Sequence, residues 1–560
     1  MVSSILKTLS SSIRGLHQAA YVLAALTLVS QILALVRDRI FAHAFGASET
    51  LDLYYAAFRV PDLVFALVAS LVSAYVLIPR IAGASREETK RLLSHAVSFL
   101  LISGGVISFA LLFFMPEALT ILFPHFAESA DKAGFILLSE LLLLQPILLG
   151  LSGILTSVTQ VHRRFILFAL SPVLYNAGII FGATVLYPTF GLPGIGFGVV
   201  LGAFLHLLIH IPVVANAGVM PALTIPSTKL LWSIVRDSVP RSLALSCGAL
   251  TTLLLTVLAS RTGEGAVTVF TFAGNLEAVP LALIGASYAT AAFPVLSEEA
   301  RGKRDEAFKA TLTAAARHLI FWSSVVAILT IVLRAHMVRV ILGTGAFDWD
   351  ATRLTAALLG VLVVGLSAQG FVLLASRAFY AARRSWNPLF IQIGGLVISI
   401  AGAYGFLALA SAEPSVRYFV ETLLRIEDIP GSTVVFIALG ATLGQIFTGI
   451  FALVTLRDVA PGVARNLLRP LFEGAAAGIL GGAAAYGVLS MLGNIASLTT
   501  LASVFTQGAL AGMVGLAVSA SVLILLENRE FRDLYESLRK MTLSKALAPS
   551  GTALNDHPHS

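Results

Sequence analysis

Long apolar runs separated by short polar segments dominate the chain. Each run approaches the ~20 residues that a helix needs to cross a bilayer core of about 30 Å. The runs are continuous rather than alternating, which excludes the strands of a β-barrel. We therefore predict an all-α polytopic membrane protein with 14 transmembrane helices, near 19–42, 56–81, 92–115, 135–158, 165–187, 194–215, 242–260, 266–293, 318–333, 354–376, 388–410, 433–456, 471–492 and 500–526.

The composition supports this prediction. Of 560 residues, 57% are hydrophobic and only 12% are charged, about half the charged fraction of an ordinary soluble protein. The single cysteine, Cys247, lies in an apolar run and excludes an intramolecular disulfide or a CxxC metal site. Lys7 and Arg14 precede a long apolar segment without a convincing cleavage site, so we interpret it as a first span rather than a signal peptide.

The basic residues predict the orientation. With the N-terminus in the cytoplasm, 27 of the 37 Lys and Arg residues fall on the cytoplasmic side, as the positive-inside rule requires. Both termini are then cytoplasmic. The net charge of +7 is therefore assigned to membrane orientation and does not indicate a nucleic-acid partner.

Similar sequence features recur at a spacing near 215–220 residues. Val60-Pro61 and Val279-Pro280 each open an apolar stretch that ends at a proline before a charged loop, and Arg163–Arg164 and Arg383–Arg384 each precede a helix that contains a proline. Chance is the alternative, because proline is frequent after a span. A parallel repeat, a common transporter plan, predicts an N-terminal lobe at 1–218, a C-terminal lobe at 219–457, two extra helices at 458–526 and a polar cytoplasmic tail at 527–560.

No enzyme signature is present: the sequence has no Walker-type loop, HExxH or GxSxG motif, and we predict no catalytic residue, cofactor or metal site. The polar residues near the first two spans have two interpretations, a solvated outer loop or a cationic pocket that binds phosphate through guanidinium groups. They are Arg37, Asp38, Arg39, His43, Glu49, Asp52, Arg59 and Asp62.

Two further groups of polar residues lie within predicted spans. Asn275 and Glu277 precede Pro280, and Glu277 is either an ion-coupling carboxylate or a residue near the outer surface. His206 and His210 share a helix face; with no third ligand visible, packing histidines are favoured over a metal pair.

Several motifs resemble those of one family. Val36-Arg37-Asp38-Arg39-Ile40-Phe41 through Phe45-Gly46-Ala47, then Asp52 and Phe58-Arg59-Val60-Pro61, is similar to the opening of the MurJ (MviN) family. The stretches Gly345-Ala346-Phe347-Asp348 and Ser376-Arg377-Ala378-Phe379-Tyr380-Ala381-Ala382-Arg383 resemble that family's second lobe. Members are lipid II flippases of the multidrug/oligosaccharidyl-lipid/polysaccharide exporter superfamily.

The resemblance implies alternating-access export of an undecaprenyl-diphosphate-linked peptidoglycan precursor across the bacterial cytoplasmic membrane, by a protein that functions as a monomer. It also implies a cationic central cavity and a lipid-tail groove shaped by the last two spans. Arg37 matches a cavity arginine, Asp52 an acidic residue and Arg59 a usual basic position. The expected substrate-binding residues are Arg37, Asp38, Arg39, Asp52, Arg59 and Asn275, with Glu277 as the ion-coupling candidate.

The chain departs from the family at several positions. Gln31, Phe65 and Asn275 stand where the family has cavity arginines, and Ser70 replaces a glutamate, while Arg39 compensates in part. With fewer cations in the cavity, moving a diphosphate out of water and into that cavity would cost more free energy. Alternatives to a lipid II flippase are therefore an exporter of another lipid-linked or amphipathic solute and a non-transporting membrane scaffold.

Overall fold

The computed structural model describes residues 16–495 and 500–533, and within those ranges every regular element is a helix. Fourteen long helices, numbered here in chain order, account for most of this part of the chain. They are α1 (Leu16–Phe45), α2 (Glu49–Ile81), α3 (Arg86–Leu122), α4 (Lys132–Val161), α5 (Phe165–Phe190), α6 (Leu192–Asn216), α7 (Thr228–Ala259), α8 (Ala266–Arg301), α9 (Asp305–Ile341), α10 (Trp349–Ala381), α11 (Trp386–Ala412), α12 (Val434–Asp458), α13 (Leu468–Ile495) and α14 (Leu501–Leu525).

Thirteen helices in the described ranges, α2 to α14, are long and apolar enough to cross a membrane. The all-helical membrane fold is thus confirmed, whereas the count of fourteen spans is not. The predicted first span at 19–42 falls within α1, a helix of 30 residues. The segments 1–15 and 534–560, which hold Lys7, Arg14 and most of the predicted tail, lie outside the described residues.

Several of these helices are interrupted, because proline and local hydrogen bonds from serine disturb the regular ladder. In α2 the backbone becomes extended at Ser73, and in α8 a wider turn follows Pro280. The pieces of the broken helices are Glu49–Ala57, Arg59–Val68, Ala69–Val72 and Ala74–Ile81 in α2; Lys132–Leu142 and Leu144–Val161 in α4; Phe165–Phe181, Gly182–Leu186 and Tyr187–Phe190 in α5; Leu192–Leu208 and Ile211–Asn216 in α6; Ala266–Pro280, Leu281–Ala286 and Ser287–Arg301 in α8; Trp349–Leu362, Val363–Gly365 and Leu366–Ala381 in α10; and Val434–Thr455 and Leu456–Asp458 in α12.

Three short helices complete the fold: Pro124–Ala127, Pro414–Leu424 and Ala464–Asn466.

Some helices extend well beyond their apolar cores. The helices α3 and α9 each have 37 residues, although the predicted spans at 92–115 and 318–333 are much shorter. At the start of α3, the hydroxyl of Ser85 accepts a hydrogen bond from the backbone N–H of Glu88. The carboxylate of Glu88 in turn accepts one from the backbone N–H of Ser85. This capping box stabilises a charged helix end that hydropathy does not detect.

Backbone conformation repeats with the spacing predicted from the sequence. Gly83 and Lys303, 220 positions apart, both have positive φ after a helix, and so do Arg163 and Arg383 at the same spacing. Left-handed residues commonly end helices, so corresponding helices end at corresponding places. The recurrence supports a parallel two-lobe plan, and the boundaries at 218 and 457 stay predictions.

The last two helices pack outside the repeat. Helices α13 and α14 pack against each other and against α9. The approach is close because the contact faces carry glycine: a Cβ on Gly481 would clash with the carbonyl oxygen of Gly515. Small residues allow such contact between membrane helices. Just after α14, the buried Glu530 pairs with Arg317 of α9 at 2.6 Å.

Candidate functional site

A polar cavity of about 220 Å³ lies where α1, α2 and α5 of the predicted N-terminal lobe meet α8 of the C-terminal lobe. Its wall combines aromatic rings with two arginines, so it can accommodate both a charged group and an apolar one. The lining residues are Arg37, Tyr54, Tyr55, Phe58, Arg59, Asp62, Tyr175, Ile179, Thr271 and Asn275.

Arg37 is held in place by three helices. Its Nε and Nη2 donate to Oδ1 of Asp38 at 3.0 and 2.7 Å, and its Nη1 donates to Oδ1 of Asn176 at 3.1 Å. The second carboxylate oxygen of Asp38 accepts from Nδ2 of Asn275 at 2.9 Å. The network joins α1, α5 and α8 and fixes the guanidinium at the cavity wall, which is the preorganisation that an anion site requires.

Arg59 is half-buried and weakly paired. Its Nη1 lies 3.9 Å from Oδ2 of Asp62, whose side chain is 43% exposed. Among residues 16–495 and 500–533, its Nε has no hydrogen-bond partner, and the buried hydroxyls of Tyr55 and Thr271 also lack one. Buried polar atoms almost always have partners, including water. Three unsatisfied groups around one cavity therefore indicate a place where water or a polar ligand binds.

The structure disagrees with a solvated loop at 37–52. Arg37 and Asp38 lie on α1, and Asp38 and Asp52 are both buried. That interpretation was wrong because hydropathy cannot show that the charged end of α1 continues as helix and packs between other helices.

Arg39 and Asp52, which we expected to bind substrate, do not line the cavity. Nη1 of Arg39 donates to the carbonyls of Val340 and Ile341, at the C-terminal end of α9, at 2.6 and 3.1 Å. Oδ1 of Asp52 accepts from the backbone N–H and hydroxyl of Thr268, in the first turn of α8, at 2.7 and 2.6 Å. Both residues thus form hydrogen bonds with helix ends of the other predicted lobe. The positive Arg39 lies at a C-terminal end and the negative Asp52 at an N-terminal end, as the helix dipole favours.

The same end of the molecule is packed tightly. Gly46 has positive φ, and a Cβ there would lie 2.5 Å from the carbonyl oxygen of Ala346. The backbone N–H of Ala346 donates to the carbonyl of His43 at 3.0 Å. We call this region, with Arg39 and Asp52, the upper contact.

At the opposite end of the cavity, α2 contacts α7. The hydroxyls of Ser70 and Ser242 are 2.5 Å apart, and Ser242 also donates to the carbonyls of Ala66 and Leu67 at 3.0 and 3.1 Å. This pair is the lower contact. Along α2, the upper contact precedes and the lower contact follows the residues that line the cavity, so the two predicted lobes touch on both sides of it.

Glu277 points away from the cavity although Asn275 lines it. The two residues are separated by about 200° on a helix of 3.6 residues per turn. Glu277 is buried and accepts a 2.5 Å hydrogen bond from Nε2 of Gln369 on α10. Gln369 in turn lines a second cavity of about 270 Å³ inside the predicted C-terminal lobe, together with Thr251, Gln392 and Gln445.

The remaining sequence-predicted positions lie elsewhere. Phe65, 40% exposed, and the half-buried Gln31 do not line the cavity. His206 bonds Ser152, and His210 bonds two threonines of α4, so both histidines have partners within the helix packing.

Sequence reasoning missed the aromatic and amide part of the site. Tyr54, Tyr55 and Tyr175 line the cavity, and Asn176 anchors Arg37. The first two tyrosines lie in the polar stretch that drew attention to Arg59, so their proximity was a usable signal. Tyr175 and Asn176 belong to a span distant in the sequence, and the packing of α5 against α1 places them beside the cavity.

A many-spanning helical bundle with a cation-bearing cavity where two sets of helices meet has the plan of a membrane transporter. A model of the family described as lipid II flippase MurJ matches residues 41–413, and the chain therefore belongs to the MurJ family. The family consists of transporters rather than enzymes.

Curated relatives agree with this assignment. The lipid II flippase MurJ of Burkholderia cenocepacia is 24% identical over 416 residues, covering 70% of this chain and 79% of that protein. The probable lipid II flippase MurJ of Thermotoga maritima is 26% identical over 444 residues, covering 76% and 86%.

Solved structures show the same fold. A lipid II flippase MurJ in an inward closed conformation superposes with a TM-score of 0.70 at 18% identity, covering 90% of this chain and 99% of that chain. An inward-facing multidrug resistance MATE family transporter of the MOP superfamily superposes with a TM-score of 0.61 at 17% identity, covering 80% and 99%.

Proposed function

We propose that this protein is a lipid II flippase, which moves the undecaprenyl-diphosphate-linked peptidoglycan precursor from the inner to the outer leaflet by alternating access. The observation that carries the proposal is the pair of arginines, Arg37 and Arg59, at a cavity between the two predicted lobes that also holds unsatisfied polar atoms. A planar guanidinium binds phosphate oxygens through two parallel donors, which suits a diphosphate.

The size of the cavity suggests how the cycle proceeds. About 220 Å³ suits a small anionic group but is small for a sugar-peptide head group. Substrate entry therefore requires the lower contact, Ser70 with Ser242, to separate, and release requires the upper contact to separate. The lipid tail stays in the membrane beside α13 and α14, as the family resemblance implies.

We further propose that the protein is a monomer of the bacterial cytoplasmic membrane with both termini inside. The orientation rests on the distribution of Lys and Arg. Single cysteines at Ser85, Arg304 and Ser385, in a chain without Cys247, should resist an impermeant thiol reagent in intact cells. Ready labelling of all three would reverse the orientation.

Glu277 is our candidate for ion coupling. A buried carboxylate with a single amide partner can change its proton or cation occupancy when that partner moves. Glu277→Gln keeps the size of the side chain and removes its charge. We expect this variant to fold and to lose the dependence of transport on an ion gradient; retained dependence would reject the assignment.

Complementation tests the proposed function in cells. A strain depleted of its own lipid II flippase should grow when it expresses this chain and should fail with an Arg37→Ala/Asp38→Asn double variant. An Arg304→Gln variant, at an exposed arginine that pairs with the exposed Glu298, is the matched control and should support growth. Absence of growth with well-expressed wild type would count against lipid II as the cargo.

A second candidate is export of another lipid-linked or amphipathic solute. It is favoured by Gln31, Phe65 and Asn275, which leave fewer cations than the family resemblance implies. A scaffold is disfavoured by the polar cavity. Asn275→Arg discriminates between the two cargoes, because it restores a cation at a position that lines the cavity. It should preserve or raise lipid II transport if lipid II is the cargo, and lower activity if a less anionic solute is.

A further inference from the structure

A third and larger cavity, of about 820 Å³, lies apart from the central site. It is formed by α9, α10, α13 and the short helix Pro414–Leu424. By the orientation proposed above, it lies at the outer end of these helices. None of its lining residues lines the central cavity, so it has to be explained separately.

Positive charge dominates this cavity. Arg334, Arg353, Arg425 and His336 line it, and none of the residues that line it is an aspartate or glutamate. Arg353 is neutralised from outside the cavity, because its Nη1 and Nη2 donate to the two carboxylate oxygens of Asp428 at 2.8 and 2.6 Å. This hydrogen bonding holds the pKa of Asp428 below its usual range.

Arg334 and Arg425 lack such a counter-charge. Within residues 16–495 and 500–533, no carboxylate forms an ion pair with either guanidinium. Arg334 donates to the carbonyl of Ile331 at 2.6 Å. Two like charges around one space repel each other unless an anion lies between them.

The fold makes room for Arg334. On α10, a Cβ at Gly360 would lie 2.9 Å from Cδ of Arg334. The half-buried arginine stem therefore fits against the helix only because that position has no side chain. The packed stem holds the guanidinium of Arg334 at the cavity wall, whereas the guanidinium of a solvated surface arginine is not held in one position.

Most of the remaining lining residues are apolar, and several of them are exposed. Trp349 and Tyr486 are 54% and 58% exposed, and Ile479 and Leu423 are exposed as well. Tryptophan and tyrosine are enriched at the level of lipid head groups. The cavity thus combines cations with an open apolar wall at the depth where a phospholipid places its phosphate above its acyl chains.

We propose that this cavity binds a membrane phospholipid with an anionic head group, such as phosphatidylglycerol, whose phosphate lies between Arg334 and Arg425 and whose acyl chain lies along α13. Basic pockets between membrane helices bind anionic lipid head groups elsewhere. The lipid is a resident of the bilayer and not the transported cargo, so this site does not depend on the proposed function.

Native mass spectrometry of the full purified chain tests the proposal. Phosphatidylglycerol and phosphatidylcholine with identical acyl chains are titrated against wild type, the Arg425→Gln variant and the Arg334→Gln/Arg425→Gln double variant. The matched control is Arg301→Gln/Arg304→Gln, which removes two exposed arginines elsewhere. Because Arg425 is exposed and no hydrogen bond in the described chain uses its side chain as donor, its single variant carries little risk of misfolding.

Wild type and the control should prefer phosphatidylglycerol at least about tenfold, and the double variant should lose that preference, since each charged hydrogen bond contributes about tenfold or more. The proposal fails if the double variant keeps the preference or if the control loses it equally. It also fails if inorganic phosphate, or a lipid-linked diphosphate at equal concentration, displaces the phospholipid fully, because the site would then be a free-anion or cargo site.

Fluorescence locates the bound lipid. In a variant whose other three tryptophans are phenylalanine, Trp349 is the only tryptophan of the chain and lines the cavity. Phosphatidylglycerol with brominated acyl chains should quench Trp349 more than brominated phosphatidylcholine does, and Arg334→Gln/Arg425→Gln should abolish the difference. Equal quenching by both lipids in the arginine-containing protein would overturn the assignment.

Discussion

Replacing Arg37 by alanine changes two properties of the protein at once, because its guanidinium both lines the central cavity and neutralises Asp38. The Asp38 side chain is only 3% exposed and has one other side-chain donor, Nδ2 of Asn275. The single variant therefore leaves a buried carboxylate without its counter-charge. A loss of transport in that variant alone would not distinguish missing substrate contacts from a damaged fold.

The two effects have different magnitudes. Removing one partner of a buried ion pair costs about 3–5 kcal/mol of folding free energy, and the remaining Asn275 bond places this case near the lower end. Adding Asp38→Asn removes the orphaned charge, so the double variant should regain most of that stability. The lost contact to phosphate is worth about 1.5–3 kcal/mol, or roughly 10- to 150-fold in affinity.

The assay compares wild type, Arg37→Ala, Asp38→Asn and the double variant by thermal unfolding in detergent and by transport in liposomes at equal amounts of folded protein. We expect Arg37→Ala to be unstable and inactive, and the double variant to be stable but still impaired. Arg37→Lys should recover only part of the activity, because an ammonium keeps the charge and loses the planar donor pair. A stable double variant that transports as well as wild type would refute the cationic-cavity mechanism.

Three further predictions follow from other contacts. Arg59→Gln should lower transport about tenfold or more while changing the free energy of unfolding by less than about 1 kcal/mol, because its ion-pair partner Asp62 lies 3.9 Å away and is 43% exposed. Cysteines at Ser70 and Ser242, in a chain without its native cysteine, should form a disulfide that stops transport until it is reduced. Asp52→Ala should destabilise the fold by about 1–3 kcal/mol, since the N–H of Thr268 loses its acceptor.

Each of these predictions has a contrary outcome. Full transport by Arg59→Gln would remove Arg59 from the substrate site. Undiminished transport after quantitative cross-linking of 70 to 242 would show that the lower contact does not open during the cycle. Asp52→Ala with wild-type stability and lost transport would return Asp52 to the substrate-binding residues, where the sequence resemblance had placed it.

The overall architecture could be predicted from the sequence because long apolar runs identify membrane helices. Charged helix ends could not be predicted in this way. The charged first turns of α3 and α9 contain Arg86 to Glu88 and Asp305. Capping and the helix dipole stabilise such helix ends, and a hydropathy profile detects neither effect. The interruption after Pro280 was a more accessible signal, since proline removes a backbone donor.

The site could be predicted only in part. Arg37, Arg59 and Asn275 line the cavity as expected from the resemblance, but Arg39 and Asp52 bond helix ends instead. Neighbouring positions on a helix point in different directions, so two residues of one motif can serve different roles. Which side of α1 faces the cavity depends on the rotation of α1 about its own axis as it packs between α5 and α8. That rotation cannot be read from a single sequence.

The most direct test of the central claim is translocation of lipid II in liposomes that contain only this protein. Lipid II placed in one leaflet should become accessible in the other at a rate proportional to the amount of protein. The stable Arg37→Ala/Asp38→Asn variant should be about 10- to 150-fold slower when substrate is limiting, and the Arg304→Gln control should match wild type. Lipid II that stays in its original leaflet, while the same preparation moves another lipid-linked or amphipathic solute, would contradict the assignment of lipid II as the cargo.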